Sequence, residues 1–247
     1  MLDWPAFGTA LWQVHDQLGI RPEYILPVLY LETAGTFLPS KTNPNNGAVG
    51  LNQFTVGPYG TYRGYVGVPV DQYQQWTASQ QLAGPILNYW HDALSQGPIR
   101  SATRLMVAQL GPGRLANPPA LGNVVYSAPS GEYAGNACVF DSPCSGSPSR
   151  GKKGYFTEQD VANVLAGYAQ SPAVRDAIAR AYAMRPGERP RDPVYGDDYA
   201  LAMPRPPLVR PRPTPALFAI GALALTAGAA YAAAAYAIRR REPEPAS

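Results

Sequence analysis

The apolar and polar residues of the first 114 positions alternate as they do in helices joined by turns. A dense apolar stretch at residues 25–31 predicts a helix, which Pro27 is expected to bend and Gly35 to stop. Glu32 follows directly on this stretch. A carboxylate beside so apolar a segment is poorly solvated, which predicts a raised pKa and suits a general acid. A surface glutamate at a helix end is the alternative interpretation.

Capping signals predict further helices. A capping box at residues 77–80 predicts a helix that runs to Leu94. The helical pattern returns at residues 156–184, where Thr157 and Ser171 stand at positions typical of N-caps. The chain is therefore expected to be mainly helical.

Residues 115–155 are rich in glycine, serine, asparagine and proline, which predicts a long loop or an insertion. Cys138 and Cys144 lie within it, and either a small disulfide loop or two free thiols fits the sequence. Two cysteines exclude a four-cysteine zinc site. His15 and His91 form no His-Glu-x-x-His motif, so a metalloprotease is not expected.

The chain changes character after residue 185. Nine prolines between residues 186 and 215 predict an extended, semi-rigid linker with polyproline II character. Residues 216–238 carry no charge, and as a helix of about 34 Å they would cross a hydrocarbon core of about 30 Å. One C-terminal transmembrane helix is therefore predicted, although twelve of its residues are alanine and a soluble helix is the alternative. A short basic, then acidic tail follows at residues 239–247.

The charge of the chain also differs between the part before residue 200 and the part after it. The formal net charge of +3 is too small to indicate a nucleic-acid-binding protein, and no nucleic-acid partner is expected. Residues 1–200 carry 14 basic and 15 acidic side chains, whereas residues 201–247 carry 6 and 2. The excess of positive charge therefore flanks the predicted span on both sides, which leaves its orientation open.

Three short motifs follow one another in the N-terminal part. They are Glu32-Thr33, then Gly50-Leu51-Asn52-Gln53, and finally Gly111-Pro112-Gly113-Arg114. In this order they resemble the motifs of the soluble-type lytic transglycosylases, which belong to the lysozyme-like superfamily. The family has Glu-Ser, Gly-Leu-Met-Gln and Ala-Tyr-Asn-Ala-Gly-Pro-Gly-Arg at the corresponding places. The resemblance covers about residues 20–115 and extends less clearly to residues 156–182.

The sequence also departs from these motifs. Thr33 keeps the hydroxyl group of the family's serine, whereas Asn52 replaces its methionine. Ala108 and Gln109 replace the Tyr-Asn pair, so the aromatic contact is lost while Gln109 can stand in for the asparagine amide. The phenylalanine that follows the family's glutamate has a match in Phe37.

The resemblance implies a fold, a site and a reaction. The fold would be a mainly α, lysozyme-like α+β domain over residues 1–185 with a small β or turn element. The enzyme would cleave the β-1,4 bond between N-acetylmuramic acid and N-acetylglucosamine in peptidoglycan, with Glu32 as its single catalytic carboxylate and without metal or cofactor. Residues expected to bind the glycan strand are Thr33, Gly50, Leu51, Asn52, Gln53, Phe54, Gln109 and Tyr168.

Such a transglycosylase forms a 1,6-anhydro product through the substrate's own acetamido and 6-hydroxyl groups. This scheme departs from the usual pair of carboxylates. No second carboxylate lies between Glu32 and Asp71, and Asp71 would serve only in the alternative, a hydrolytic muramidase. An aromatic run could stack on sugars or pack in the core, and it comprises Phe54, Tyr59, Tyr62, Tyr65 and Tyr73.

The expected location follows from the order of the segments. The N-terminal residues lack the basic and apolar regions of a secretory signal peptide. A wall-cutting domain, a proline-rich linker and a terminal anchor together resemble membrane-anchored transglycosylases of tailless phages, which open the host wall during genome delivery. Expected partners are peptidoglycan, the virion's internal lipid membrane and other virion proteins. The alternatives are a remodelling enzyme of a secretion or conjugation apparatus and a glycan-binding virion protein without activity.

Overall fold

A computed structural model describes residues 2–44, 46–57, 60–141 and 153–199, and these residues are mainly helical. The first helices in chain order are α1 (Trp4–Leu18), α2 (Pro22–Glu32), α3 (Tyr62–Tyr65), α4 (Val70–Tyr73) and α5 (Ala78–Gln81). They are followed by α6 (Leu87–Leu94), α7 (Ala102–Leu110), α8 (Gly131–Phe140), α9 (Glu158–Ala169) and α10 (Pro172–Ala183). Two strands, β1 (Val124–Ser127) and β2 (Tyr155–Thr157), pair antiparallel, with Tyr126 opposite Phe156.

The predicted helix boundaries are confirmed by their capping geometry. Thr77 and Gln80 form both hydrogen bonds of a capping box at the start of α5, which continues through the π-helical turn Leu82–Ile86 into α6. The Thr157 and Ser171 side chains accept hydrogen bonds at the starts of α9 and α10. These caps fix where each helix begins.

α2 lies at the centre of the fold. It packs against α1, α7, α9 and α10, so it has protein on several sides. Four of its aliphatic side chains are fully buried, namely Ile25, Leu26, Val28 and Leu29. Burial of each such side chain contributes about 1.5–3 kcal/mol to stability. Pro27 lies inside the helix, and Gly35, at φ +84°, follows its end as predicted.

The region from residue 115 to 155 differs from the expected long loop. In its described part, β1 and α8 pack together with β2, and Ser130 caps the N-terminus of α8. The ring of Phe156 packs on three aromatic side chains, those of Tyr126, Tyr133 and Phe140. These aromatic residues form a small core within the segment. The sequence composition did not predict this core, because glycine, serine and proline residues outnumber the aromatic ones.

The two cysteines lie in this region. Cys138, in α8, is disulfide-bonded, as one of the two sequence interpretations requires. Residues 142–152, which include Cys144, lie outside the described residues.

The predicted linker does not begin at residue 186. Residues 186–199 pack against the helical domain, and Val194 and Tyr199 are buried. The main chain of this segment is hydrogen-bonded to α7, because the amides of Ala102 and Thr103 donate to the carbonyls of Pro193 and Val194. Despite its prolines, the segment supplies apolar side chains and carbonyl groups to the start of α7. The folded domain therefore reaches residue 199.

The other C-terminal predictions concern residues 200–247. Residues 200–247, with the rest of the linker, the predicted span and the tail, lie outside the described residues. Within the part that the structure describes, no helix is long and apolar enough to span a membrane.

Candidate active site

Glu32 is the last residue of α2 and is partly exposed. Its carboxyl group accepts no hydrogen bond from any residue that the structure describes. Most of the side chain is enclosed by protein, and this burial raises the pKa of Glu32 from 4.5 to about 8. Glu32 is therefore protonated at neutral pH and can donate a proton, which confirms the raised pKa that the apolar flanking sequence predicts.

The chain turns sharply after Glu32, and Thr33 holds this turn. The Thr33 hydroxyl donates to the Leu29 carbonyl at 2.7 Å and accepts from the Phe37 amide at 2.9 Å. Thr33 is fully buried, so its hydroxyl positions the backbone behind Glu32 instead of facing the solvent. Ala34 and Phe37 adopt positive φ angles of +51° and +53°, a strained conformation that the surrounding contacts maintain.

The loop at residues 50–53 lies in a small β-like turn in which Val49 bridges both Thr42 and Phe54. Gly50 has φ +84°, and a Cβ atom there would lie 2.6 Å from the Tyr73 ring. Only glycine fits this position without displacing its neighbours. The Leu51 side chain is buried in the core, whereas its main-chain amide is bound from behind the loop.

The residue that binds the Leu51 amide is Gln81, which the sequence analysis missed. The Gln81 side-chain oxygen accepts from the Leu51 amide at 2.9 Å. Its nitrogen donates to the carbonyls of Pro39 and Tyr73 at 2.9 and 3.1 Å. Gln81 is fully buried, and it links the Leu51 amide of the loop to the main-chain carbonyls of Pro39 and Tyr73. The position of Gln81 at the end of α5 does not by itself predict this role.

Gln109 and Asn52 join α7 to the same loop. The Gln109 amide nitrogen donates to the main-chain carbonyl of Asn52 at 2.5 Å, and its oxygen accepts from the Trp90 indole at 3.3 Å. The Asn52 side chain is 1% exposed, and neither of its polar atoms forms a hydrogen bond with a described residue. Gln53, at φ +47°, is half-buried and donates to the Gly50 carbonyl at 2.7 Å.

Tyr89 lies beside these elements and was also missed from sequence. Its hydroxyl donates to the Ala108 carbonyl at 2.9 Å. Burial raises the pKa of Tyr89, with smaller electrostatic contributions from Tyr65 and Glu32. Tyr89 is therefore within electrostatic range of Glu32. The helical pattern places it on the buried face of α6, but that pattern alone does not distinguish a site residue from a core residue.

The predicted aromatic residues divide between the core and the surface. Tyr62, Tyr73 and Phe54 are buried, whereas Tyr65 is half-buried and stacks on Phe54 with a ring separation of 6.1 Å. Tyr59 lies outside the described residues. Of the four that the structure describes, Tyr65 thus has the greatest access to solvent.

Tyr168 lies on α9, which packs against α2. Its half-buried ring meets the edge of Tyr30 at 6.0 Å, and burial raises the pKa of its hydroxyl. Tyr30 lies two residues before Glu32 on the same helix. Tyr168 therefore packs on the segment of α2 that ends in the candidate acid.

Asp71, the carboxylate considered for a hydrolytic reaction, has different surroundings. Asp71 is exposed in the first turn of α4. Among the described residues, no group of three histidine, cysteine, aspartate or glutamate side chains could hold a metal ion. The described part of the chain thus offers Glu32, a carboxyl group with a raised pKa and no hydrogen-bonded partner, which is suited to general acid catalysis.

No protein-family model, curated protein or solved structure matches this chain.

Proposed function

We propose that this protein is a peptidoglycan lytic transglycosylase with a lysozyme-like fold, in which Glu32 is the single catalytic carboxylate. The observation that carries the proposal is the environment of Glu32, whose pKa is raised to about 8 by burial without a hydrogen-bonded partner in the described chain. An acid of this pKa donates protons readily at neutral pH. The motif order of the sequence supplies the substrate class.

The proposed reaction needs one carboxyl group for two proton transfers. Glu32 gives its proton to the glycosidic oxygen as the bond to the anomeric carbon of N-acetylmuramic acid breaks. The acetamido oxygen of the same sugar stabilises the positive charge on that carbon. The Glu32 carboxylate then takes the proton of the sugar's 6-hydroxyl group, whose oxygen bonds to the anomeric carbon. The 1,6-anhydro ring is closed, and Glu32 is protonated again.

The residues around Glu32 support this use of one carboxyl group by fixing the backbone. Thr33 holds the turn behind the acid, and Gln81 and Gln109 bind the loop at residues 50–53 from two directions. A site whose backbone is held in this way orients a bound strand without reorganising during the reaction. In this proposal the loop binds the sugar next to the scissile bond.

We place the enzyme in a virion as part of the same proposal. A catalytic domain to residue 199, followed by a proline-rich stretch and the uncharged residues 216–238, suits an enzyme tethered to the virion's internal membrane. Resistance of the full-length protein to extraction from phage membranes by alkaline carbonate would support the tether. Release into the aqueous fraction would contradict it.

Product analysis tests the activity. Full-length protein is incubated with purified peptidoglycan, and the muropeptides are separated and weighed. A transglycosylase yields 1,6-anhydro products, which are one water lighter than the reducing products of a muramidase. Glu32→Gln is expected to abolish product formation, whereas Glu132→Gln, at an exposed glutamate of α8, retains it. Reducing products would identify a hydrolase, and no product would favour a glycan-binding protein.

A further inference from the structure

Arg114 is an exposed cation just beyond the end of α7, the helix that carries Gln109. It lies in the 3₁₀ turn Pro112–Ala116 that follows α7, and it forms no ion pair with any residue of the described ranges. Its guanidinium carbon lies 5.0 Å from the centre of the Tyr126 ring. Arg104, one helix earlier, differs in that it is fully buried and bonded to Glu158 at 2.9 Å. The charge of Arg114 therefore remains open to a ligand.

The ring under Arg114 is fixed in place. The Tyr126 hydroxyl donates to the Leu110 carbonyl at 2.7 Å, and its ring packs edge-on against Phe156 at 5.9 Å. A Cβ atom on Gly111 would lie 2.5 Å from the Tyr126 hydroxyl oxygen, so this close approach requires glycine. Tyr126 is thus a rigid platform on which the guanidinium group can stack.

This platform lies at the end of α7, whose last residues also contact Tyr89 and the loop at residues 50–53. The Tyr126 hydroxyl donates to the carbonyl of Leu110, the last residue of α7. Two residues earlier, the Ala108 carbonyl accepts from the Tyr89 hydroxyl. Between them, the Gln109 side chain donates to the Asn52 carbonyl. Both Glu32 and Tyr126 contribute to the electrostatic field at Tyr89. An open cavity lies here, lined by Gly111, Pro112, Gly113, Arg114 and Tyr126.

The chemistry of the cavity points to an anionic ligand. The Arg114 guanidinium group contacts the Tyr126 side chain and carries five N–H donors, two of which can form a fork that matches the two oxygens of a carboxylate. The sugar rings of a glycan strand are neutral, so they give such a cation no partner. The substituent on muramic acid is the source of carboxylates. It is a stem peptide in intact peptidoglycan and a free lactyl group after the peptide has been removed.

We infer that Arg114, held on Tyr126, is a specificity residue that binds a carboxylate of the muramic acid substituent next to the cleaved bond. The inference rests on the proposed function, because it assigns a contact to the same bound strand. The protein thus recognises the substituent on muramic acid as well as the sugar backbone of the strand. Arg114 would add affinity for charged strands and take no part in proton transfer.

Binding of soluble glycan strands to the full-length protein tests this inference. Glu32→Gln is present throughout so that the strands stay intact, and dissociation constants are measured for three ligands. The first carries stem peptides, the second has lost them to an amidase, and the third carries peptides whose carboxylates are capped as methyl amides. Arg114→Gln is expected to weaken binding of carboxylate-bearing strands by about tenfold and to leave binding of capped strands unchanged.

Two further variants separate recognition from folding. Arg114→Lys keeps the charge without the fork and should retain part of the effect. Arg175→Gln, at an exposed arginine of α10, serves as the control and should bind all strands as the parent does. A loss confined to peptide-bearing strands identifies the stem peptide, a loss confined to amidase-treated strands identifies the lactyl group, and a loss on both shows that Arg114 accepts either carboxylate.

The opposite results have separate meanings. If Arg114→Gln binds all three ligands as the parent does, or loses affinity equally for capped strands, the carboxylate contact is refuted and the proposed function stands. If the parent binds none of the strands, the proposed function fails and the inference fails with it.

Discussion

The side-chain amide nitrogen of Gln109 lies 2.5 Å from the main-chain carbonyl oxygen of Asn52, so α7 and the loop at residues 50–53 are joined by a direct hydrogen bond. The same amide is oriented by the Trp90 indole, which donates to its oxygen. The Gln109 side chain is thus long enough to reach the loop from α7.

Removing this amide is expected to lower activity more than stability. Gln109→Ala leaves the Asn52 carbonyl and the Trp90 indole without their partner, which costs about 1–3 kcal/mol of stability for buried groups. Because the loop then loses its position relative to Glu32, we expect kcat to fall by at least tenfold. Steady-state kinetics on soluble glycan strands measure this effect. Gln96→Ala, at an exposed glutamine, is the control, and equal kcat values for the two variants would contradict the positioning role.

Replacing the Asn52 side chain is expected to make the protein more stable. Its buried amide forms no hydrogen bond with a described residue, and such a group destabilises a protein relative to an apolar side chain of similar size. Asn52→Leu is therefore expected to raise the free energy of unfolding by about 1 kcal/mol or more, measured by chemical denaturation. Asn163→Leu, on the exposed face of α9, should change it by less than about 0.5 kcal/mol. A loss of stability in Asn52→Leu would show that the amide has a partner.

Local signals in the sequence predict the helices well, because their causes are local. The capping box at residues 77–80, the N-cap Ser171 and the stop at Gly35 involve groups within five residues of one another. The raised pKa of Glu32 is predictable for the same reason, since the apolar stretch of α2 that buries it precedes it directly.

The sequence does not predict features that depend on distant partners. Gln81 binds residues 30 and 42 positions away, and nothing in its neighbourhood indicates this. The prolines of residues 186–199 are typical of a linker, yet the segment accepts hydrogen bonds from the start of α7 and Tyr199 donates to Glu158 of α9. Packing between distant segments decides both cases.

Removing one partner of the buried Arg104–Glu158 pair is expected to destabilise the fold strongly. Arg104 also donates to the Leu115 and Asn117 carbonyls, so it joins α7 to the turn that follows it. Arg104→Ala leaves Glu158 buried without its cation and should cost about 3–5 kcal/mol. Arg180→Ala breaks an exposed pair with Asp176 on α10 and should cost less than about 1 kcal/mol. Similar midpoints of thermal unfolding for the two variants would refute this ranking.

The packed segment at residues 186–199 predicts where the domain can be truncated. A chain that ends at residue 199 should unfold at nearly the same denaturant concentration as the full chain. A chain that ends at residue 185 loses buried Val194 and Tyr199 and exposes the carboxylates of Glu23 and Glu158 to altered surroundings. It should be less stable by several kcal/mol, on the order of two buried side chains. Equal stability of both fragments would show that the segment is dispensable.

The pKa of Glu32 predicts two pH dependences. As a general acid, Glu32 acts only when protonated, so kcat/KM should fall as the pH rises through about 8. Folding is linked to the same proton. The folded pKa lies above the unfolded value of 4.5, so the favourable contribution of protonated Glu32 is present below pH 4.5 and is lost between pH 4.5 and 8. Glu32→Gln should lack this loss, as urea unfolding at several pH values would show.

Direct titration of Glu32 tests the central claim most closely. In the full-length protein labelled with ¹³C at the glutamate carboxyl groups, the Glu32 signal is assigned by its absence in Glu32→Gln and followed with pH. The account predicts a midpoint near pH 8, as burial of the carboxyl group requires. A midpoint near the ordinary value of 4.5 would mean that Glu32 is ionised at neutral pH, and it would contradict the assignment of Glu32 as the catalytic acid.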